Sequence, residues 1–226
     1  MWKKSLIAAC LMGVTPNGQV VALSTPPRLQ GGAAPALPAL AVGGGQVLVE
    51  LSIDASGEVT KVTPLRATPP FTESVNNAVR GWRFKPATAI TLRDNGLAEA
   101  PKGVSSRALV AAHFRPPTLI TPTLGERPAE VGSPSSDVPF PVATVEPPYP
   151  PKAIASGVVM IVALVDEGGS VTEATVIRSA PPFDAPALAA ARQWRFRPAT
   201  LAGRAGAGYV YLIFGFPQPV IDGARR

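Results

Sequence analysis

The chain has 226 residues, enough for one domain of ordinary size or two small ones, and 27 of them are proline, about 12 % against a usual ~5 %, which excludes a mostly helical bundle. One cysteine and one histidine exclude an iron–sulfur cluster, an internal disulfide and a zinc site built from those two residue types. The net charge of +6 comes from 21 basic and 15 acidic residues scattered singly, so there is no track for nucleic acid.

Met1-Trp2-Lys3-Lys4 is a short basic start, and Ser5 to Val14 is an apolar run shorter than the ~20 residues that cross a bilayer. Ala22-Leu23-Ser24 then offers small residues two apart. The pattern predicts a secretion signal or short N-terminal anchor over 1–24, with lipidation at Cys10 left open by Ile7-Ala8-Ala9-Cys10. Residues 25–38 are a proline-rich lead-in.

From there the chain repeats itself. Residues 47–88 and 159–200 align without a gap at an offset of 112, and roughly 18 of the 42 positions are identical. Asp54/Asp166, Gly57/Gly169, Pro69-Pro70-Phe71/Pro181-Pro182-Phe183 and Trp82-Arg83-Phe84/Trp194-Arg195-Phe196 are among them. In each copy a β-branched run (Gln46 to Ile53, Val158 to Val165) meets a turn around Asp and Gly, and a return strand follows (Glu58 to Leu65, Ser170 to Ile177). Thr72 and Asp184 are candidate caps for a helix whose apolar face carries Val75, Ala78, Val79 and Trp82, or Ala187, Ala190, Ala191 and Trp194. Pro86 and Pro198 end the helical stretch. A last strand closes each copy, Arg107 to Phe114 and Gly208 to Phe216. The expected fold is α+β: two tandem β-β-α-β domains, 37–117 and 144–220, each a short antiparallel sheet on one helix, joined by a proline-rich linker over 118–143.

Nothing in this pattern carries catalysis, a metal or a cofactor. Trp82 and Trp194 read as core side chains, His113 as structural, and Asp54 and Asp166 as turn residues. Arg83, Lys85, Arg195 and Arg197 alternate with aromatics, as on any solvated strand face. There is no G-x-S-x-G, phosphate loop or H-E-x-x-H, so the chain reads as non-enzymatic.

The second copy resembles the C-terminal domain of the TonB energy-transducer family. The resemblance rests on Tyr149-Pro150-Pro151-Lys152-Ala153, Gly157, Asp166-x-x-Gly169-x-Val171, Arg178-Ser179, Phe183-Asp184 and Ala191-Arg192-x-Trp194-Arg195-Phe196-x-Pro198-Ala199. It covers about 146–220; the first copy matches more loosely, with Leu37 in place of the tyrosine. The resemblance implies a periplasmic protein, with association with the inner membrane or a lipid anchor left open, that binds a short peptide of an outer-membrane TonB-dependent transporter by strand addition. It implies that the peptide meets Glu146, Pro148 and Tyr149 and pairs with the last strand along Tyr209, Val210, Tyr211, Leu212, Ile213 and Phe214. Members of the family couple to inner-membrane motor proteins through an N-terminal helix and a histidine; no such helix is legible here, and no histidine precedes His113. The alternative is a periplasmic interaction adaptor without energy coupling. A homo-dimer is left open.

Overall fold

The computed structural model describes residues 11–14, 20–38, 43–91, 99–117, 129–151, 153–201 and 203–219. In chain order the first half holds β1 (Leu11–Val14), β2 (Val20–Thr25), β3 (Arg28–Gly31), β4 (Gly45–Ile53), β5 (Val59–Ala67), α1 (Phe71–Arg80), β6 (Arg83–Lys85), β7 (Ala87–Thr91), β8 (Lys102–Val104) and β9 (Ser106–Phe114). A connecting strand β10 (Ala129–Glu130) leads to the second half: β11 (Phe140–Ala143), β12 (Gly157–Val165), β13 (Val171–Arg178), α2 (Asp184–Ala191), β14 (Arg195–Arg197), β15 (Ala199–Leu201), β16 (Arg204–Gly206) and β17 (Gly208–Phe216).

The repeat in sequence is a repeat in hydrogen bonds. The β4–β5 and β12–β13 hairpins turn at Gly57 and Gly169, whose φ values of +92° and +81° favour glycine. A Cβ there would lie 1.8 Å from the Phe84 carbonyl oxygen or 1.9 Å from that of Phe196. Asp54 accepts from the Ser56 and Glu58 amides, and Asp166 from those of Gly168 and Ser170, so both carboxylates serve their turns. The indole N–H of Trp82 donates to Ala33 O and that of Trp194 to Val145 O, both at 2.9 Å. The lead strands β3 and β11 pair with β6 and β14 in the same antiparallel way. The helices begin before the expected caps, with Pro70 at the N-cap two residues ahead of Thr72 and Phe183 one ahead of Asp184: Thr72 Oγ1 and Asp184 Oδ1 reach back to the amides of Thr68 and Ala180 instead of capping their helices.

The two short sheets expected from the sequence are joined as one. The strand order is β10-β5-β4-β9-β17-β12-β13, with β9 and β17 parallel at the centre, from Leu109 opposite Val210 to Phe114 opposite Gly215. The helices lie on opposite faces. α1 packs through Phe71, Val75 and Val79 on a cluster that contains Val47, Val49, Val110 and, from the second half, Met160, Tyr211 and Ile213. α2 packs through Ala187, Ala190 and Ala191 on a cluster with Val159, Ile161, Leu212 and, from the first half, Leu48, Leu65, Leu109 and Ala111. Leu48 and Leu109 alternate along their strands with Val49 and Val110, so the two clusters occupy the two faces of the sheet. Each half thus completes the core under the other's helix.

The second part of the expected linker is also in the fold. Val138 is 2 % exposed, and β11 lies beside β14. The leader reading falls partly outside the described residues, 1–10 and 15–19. The remainder forms the β1–β2 hairpin, and β2 pairs with β7 in a four-stranded sheet. No helix among the described residues is long and apolar enough to cross a membrane.

One consequence is testable. A specific protease site inserted within 118–128 is expected to give two fragments that co-elute with the intact protein in gel filtration. Fragments that separate under native conditions would show that the β9–β17 seam does not hold the halves together.

Candidate functional site

The expected peptide-binding residues fall into three places. Tyr209 to Phe214 lie in β17, which pairs antiparallel with β12 on one side and parallel with β9 on the other. The expectation of an open edge there is corrected: β9 of the same chain fills it. The physical reason is in the side chains. Val210, Leu212, Ile213 and Phe214 are fully buried and point alternately into the two clusters, so this strand is covered on both faces, as central parallel strands are. Tyr211 is 2 % exposed, and its hydroxyl accepts from the Leu29 amide at 3.0 Å and donates to Pro27 O at 3.2 Å. Burial pushes its pKa up to about 12. Half-buried Tyr209 takes Arg28 over its ring, 5.5 Å from the centroid.

Glu146 sits in a polar cluster that joins the halves. Its carboxylate meets Arg115 Nη2 at 3.2 Å and His113 Nε2 at 3.4 Å. The His113 hydrogen bond, helped by the Arg115 charge and opposed by burial, holds the Glu146 carboxyl below its ordinary range. Gln46 Nε2 lies 3.3 Å from His113 Nδ1 and donates to Thr144 Oγ1 at 2.7 Å. With Gln46 as donor, Nδ1 accepts and Nε2 carries the proton towards Glu146. Gln46 Oε1 in turn accepts from Arg66 Nη1 at 2.9 Å, and Arg115 Nη1 donates to Pro147 O at 2.6 Å. Through these contacts His113 holds the segment that leads from β11 into β12.

Tyr149 belongs to the core beside α2. Its ring lies 5.4 Å from that of Phe183 and 6.4 Å from that of Phe216, and its hydroxyl donates to Ala155 O. Pro148 between them is exposed.

Sequence reading missed a second clasp. Glu50, buried in the middle of β4, accepts from the Ser135 amide at 2.9 Å and hydroxyl at 2.8 Å, with Arg107 Nε at 3.5 Å. Arg107 also pairs with Asp137 at 2.8 Å. The available signal was the polar pair Gln46 and Glu50, four apart on one face of an apolar strand, where the second copy has Val158 and Val162. On that face Leu48 joins the cluster under α2, while Gln46 and Glu50 to either side of it hold the chain that leads into the second half.

Among the described residues no three His, Cys, Asp or Glu side chains stand together as they would to hold a metal ion. What the described elements offer is backbone: strand edges and the short segments that cover them. No curated protein matches the chain. The segment from Val145 to Phe216, which runs from the end of the lead strand through β12, β13 and α2 to the close of β17, matches the family of the Gram-negative bacterial TonB protein C-terminal.

Proposed function

We propose that this is a TonB-family protein of the Gram-negative envelope that acts in the periplasm, binds extended segments of outer-membrane transporters by strand addition, and so contributes to TonB-dependent transport. It performs no chemistry on this reading. The family match over 145–216 carries it. The recurrence of the same turns, indole hydrogen bonds and lead strands at an offset of 112 supports reading the first half as a divergent copy of the same domain. Most of the affinity in strand addition comes from backbone groups, with side chains setting preference. Pairing along Tyr209–Phe214 requires the peptide to take the place of β9, which then acts as an internal occupant of that edge. Glu146, held by Arg115 and His113, lies beside the end of β9, and Pro148 and Tyr149 follow it in the chain.

The test is titration of a TonB-box-like peptide into the full chain, followed by backbone amide shifts. Binding is expected with a weak dependence on salt, because few charges lie on β17. Steep salt dependence, or shifts confined to Arg195 and Arg197, would move binding to the basic face and overturn the reading.

A further inference from the structure

β5 and β13 are equivalent by the repeat, but the sides they turn away from the centre of the sheet are covered differently. At β5 the chain supplies its own extra strand. Ala129 and Glu130 stand antiparallel to Ala67 and Arg66, and the Val131 amide donates to Leu65 O at 3.0 Å. Gly132 follows so closely that a Cβ there would lie 2.7 Å from Pro64 O and 3.4 Å from the Leu65 side chain. Leu65 is 2 % exposed.

The offset of 112 carries Leu65, Arg66 and Ala67 to Ile177, Arg178 and Ser179 of β13 and its end. Leu65 and Ile177 are also equivalent in the ladders: each is the extra residue of a bulge, between Pro64 and Arg66 opposite β4 and between Val176 and Arg178 opposite β12. Yet β13 ends the sheet among the described residues, and Ile177 is 41 % exposed. The stretch equivalent to 129–138 is 17–26, and its described strand β2 is drawn off to pair with β7. The neighbouring face differs in the same sense. Gln46 and Glu50 of β4, which bond Thr144 and Ser135, correspond to Val158 and Val162 of β12, both half-buried. Among the described residues an unpaired strand edge and the exposed side chain of Ile177 coincide at β13, where the other half has an added strand.

We propose that the outer edge of β13 at Val176–Ser179 binds an extended segment of a partner protein, antiparallel, as β5 binds residues 129–131. The register of the internal example sets the partner's chemistry: an acidic residue opposite Arg178, as Glu130 stands opposite Arg66, followed by a β-branched residue against Ile177. The inference rests on the strand-addition reading but assigns a different edge from Tyr209–Phe214. Both β13 residues are exposed in the free chain, so the site needs no opening of the seam.

The probe is a peptide of the chain's own residues 127–135, titrated into the full protein and followed by backbone amide shifts. Shifts at Val176–Ser179 are expected with a Kd on the order of 1 mM, as suits a few backbone bonds. Ile177→Asp should weaken binding about tenfold or more. Arg178→Glu should weaken it several-fold, and a peptide with Glu130→Lys should restore it. No shift in β13, shifts confined to Leu65–Ala67, or shifts only in β9 and β17 would overturn the proposal. So would concentration-dependent shifts of β13 without peptide, which would give the edge to a second copy of the chain. The two readings fail separately. A TonB-box-like peptide that moves Tyr209–Phe214 and leaves β13 unmoved keeps transporter binding and removes this site. Binding of the 127–135 peptide at β13, with no response anywhere to the TonB-box-like peptide, keeps this site and removes transporter binding.

Discussion

Replacing Trp194 with alanine is expected to remove about 3–5 kcal/mol of stability, the usual range for a buried tryptophan, and to unfold both halves of the molecule together. The indole is 1 % exposed and lies against Phe214, edge to face at 5.6 Å, and Phe196 at 6.1 Å. Truncation leaves a cavity on the α2 face and strips Val145 O of its indole donor. Against a typical margin of ~5–15 kcal/mol, that is a large share of the total. The loss reaches the first half because the cluster under α2 contains Leu48, Leu65, Leu109 and Ala111 from β4, β5 and β9. Guanidinium unfolding, followed by far-ultraviolet circular dichroism and by fluorescence, checks this. Trp82, buried in the first half, remains as a reporter in the variant. One transition at a lower midpoint, coincident by both probes, is the expected result. Two transitions, with the Trp82 signal unmoved, would mean that the halves fold independently and that the shared core contributes little.

That coupling was the part of the fold least legible in the sequence. The local elements follow from residue pattern: glycine with positive φ at the hairpin turns, a helix between Pro70 and Trp82, and Trp-Arg-Phe-x-Pro running into a short strand. These depend on neighbours a few residues apart, and the repeat states each of them twice. The order of strands across the seam depends on contacts about a hundred residues apart, such as Leu109 with Val210. One signal for it was present. Tyr209-Val-Tyr-Leu-Ile-Phe-Gly-Phe216 is apolar on both alternating faces, a pattern equally suited to peptide binding and to burial at the centre of a sheet. The structure selects burial, and with it β9 as the neighbour. The connecting chain is hard to read for a related reason. Proline and serine over 118–143 suggest a linker, while its attachment depends on Glu50 and Arg107 in strands far away in sequence. Among the expected site residues, Glu146 is the one whose neighbours could not be read at all. Its partners His113 and Arg115 end the first half, and only the parallel seam brings them beside the start of the second.

The seam should also be visible as loss of stability in alkali. The Tyr211 hydroxyl is buried at the junction, bonded to Pro27 O and the Leu29 amide of the first half's lead segment, and burial raises its pKa to about 12 from an ordinary value of 10.0. Ionisation is therefore harder in the folded chain than in the unfolded one. Below pH ~10 neither state ionises, and the tyrosine makes stability no function of pH. Between about pH 10 and 12 the unfolded state loses this proton while the folded state keeps it, so stability falls as pH rises, at ~1.4 kcal/mol per unit and by roughly 3 kcal/mol in all. Burial also raises the pKa of Tyr149, which adds a contribution of the same sign. Tyr211→Phe separates the two. At pH 8 the variant should be less stable by about 1–3 kcal/mol, because the Pro27 carbonyl and Leu29 amide lose their partner. Its decline between pH 10 and 12 should be shallower than that of the natural chain, so the gap between the two narrows as pH rises. Denaturant midpoints for both proteins across pH 8–12 test this directly. Parallel curves would mean that the Tyr211 hydroxyl reaches solvent, and that the lead segment does not close over β17 at Pro27.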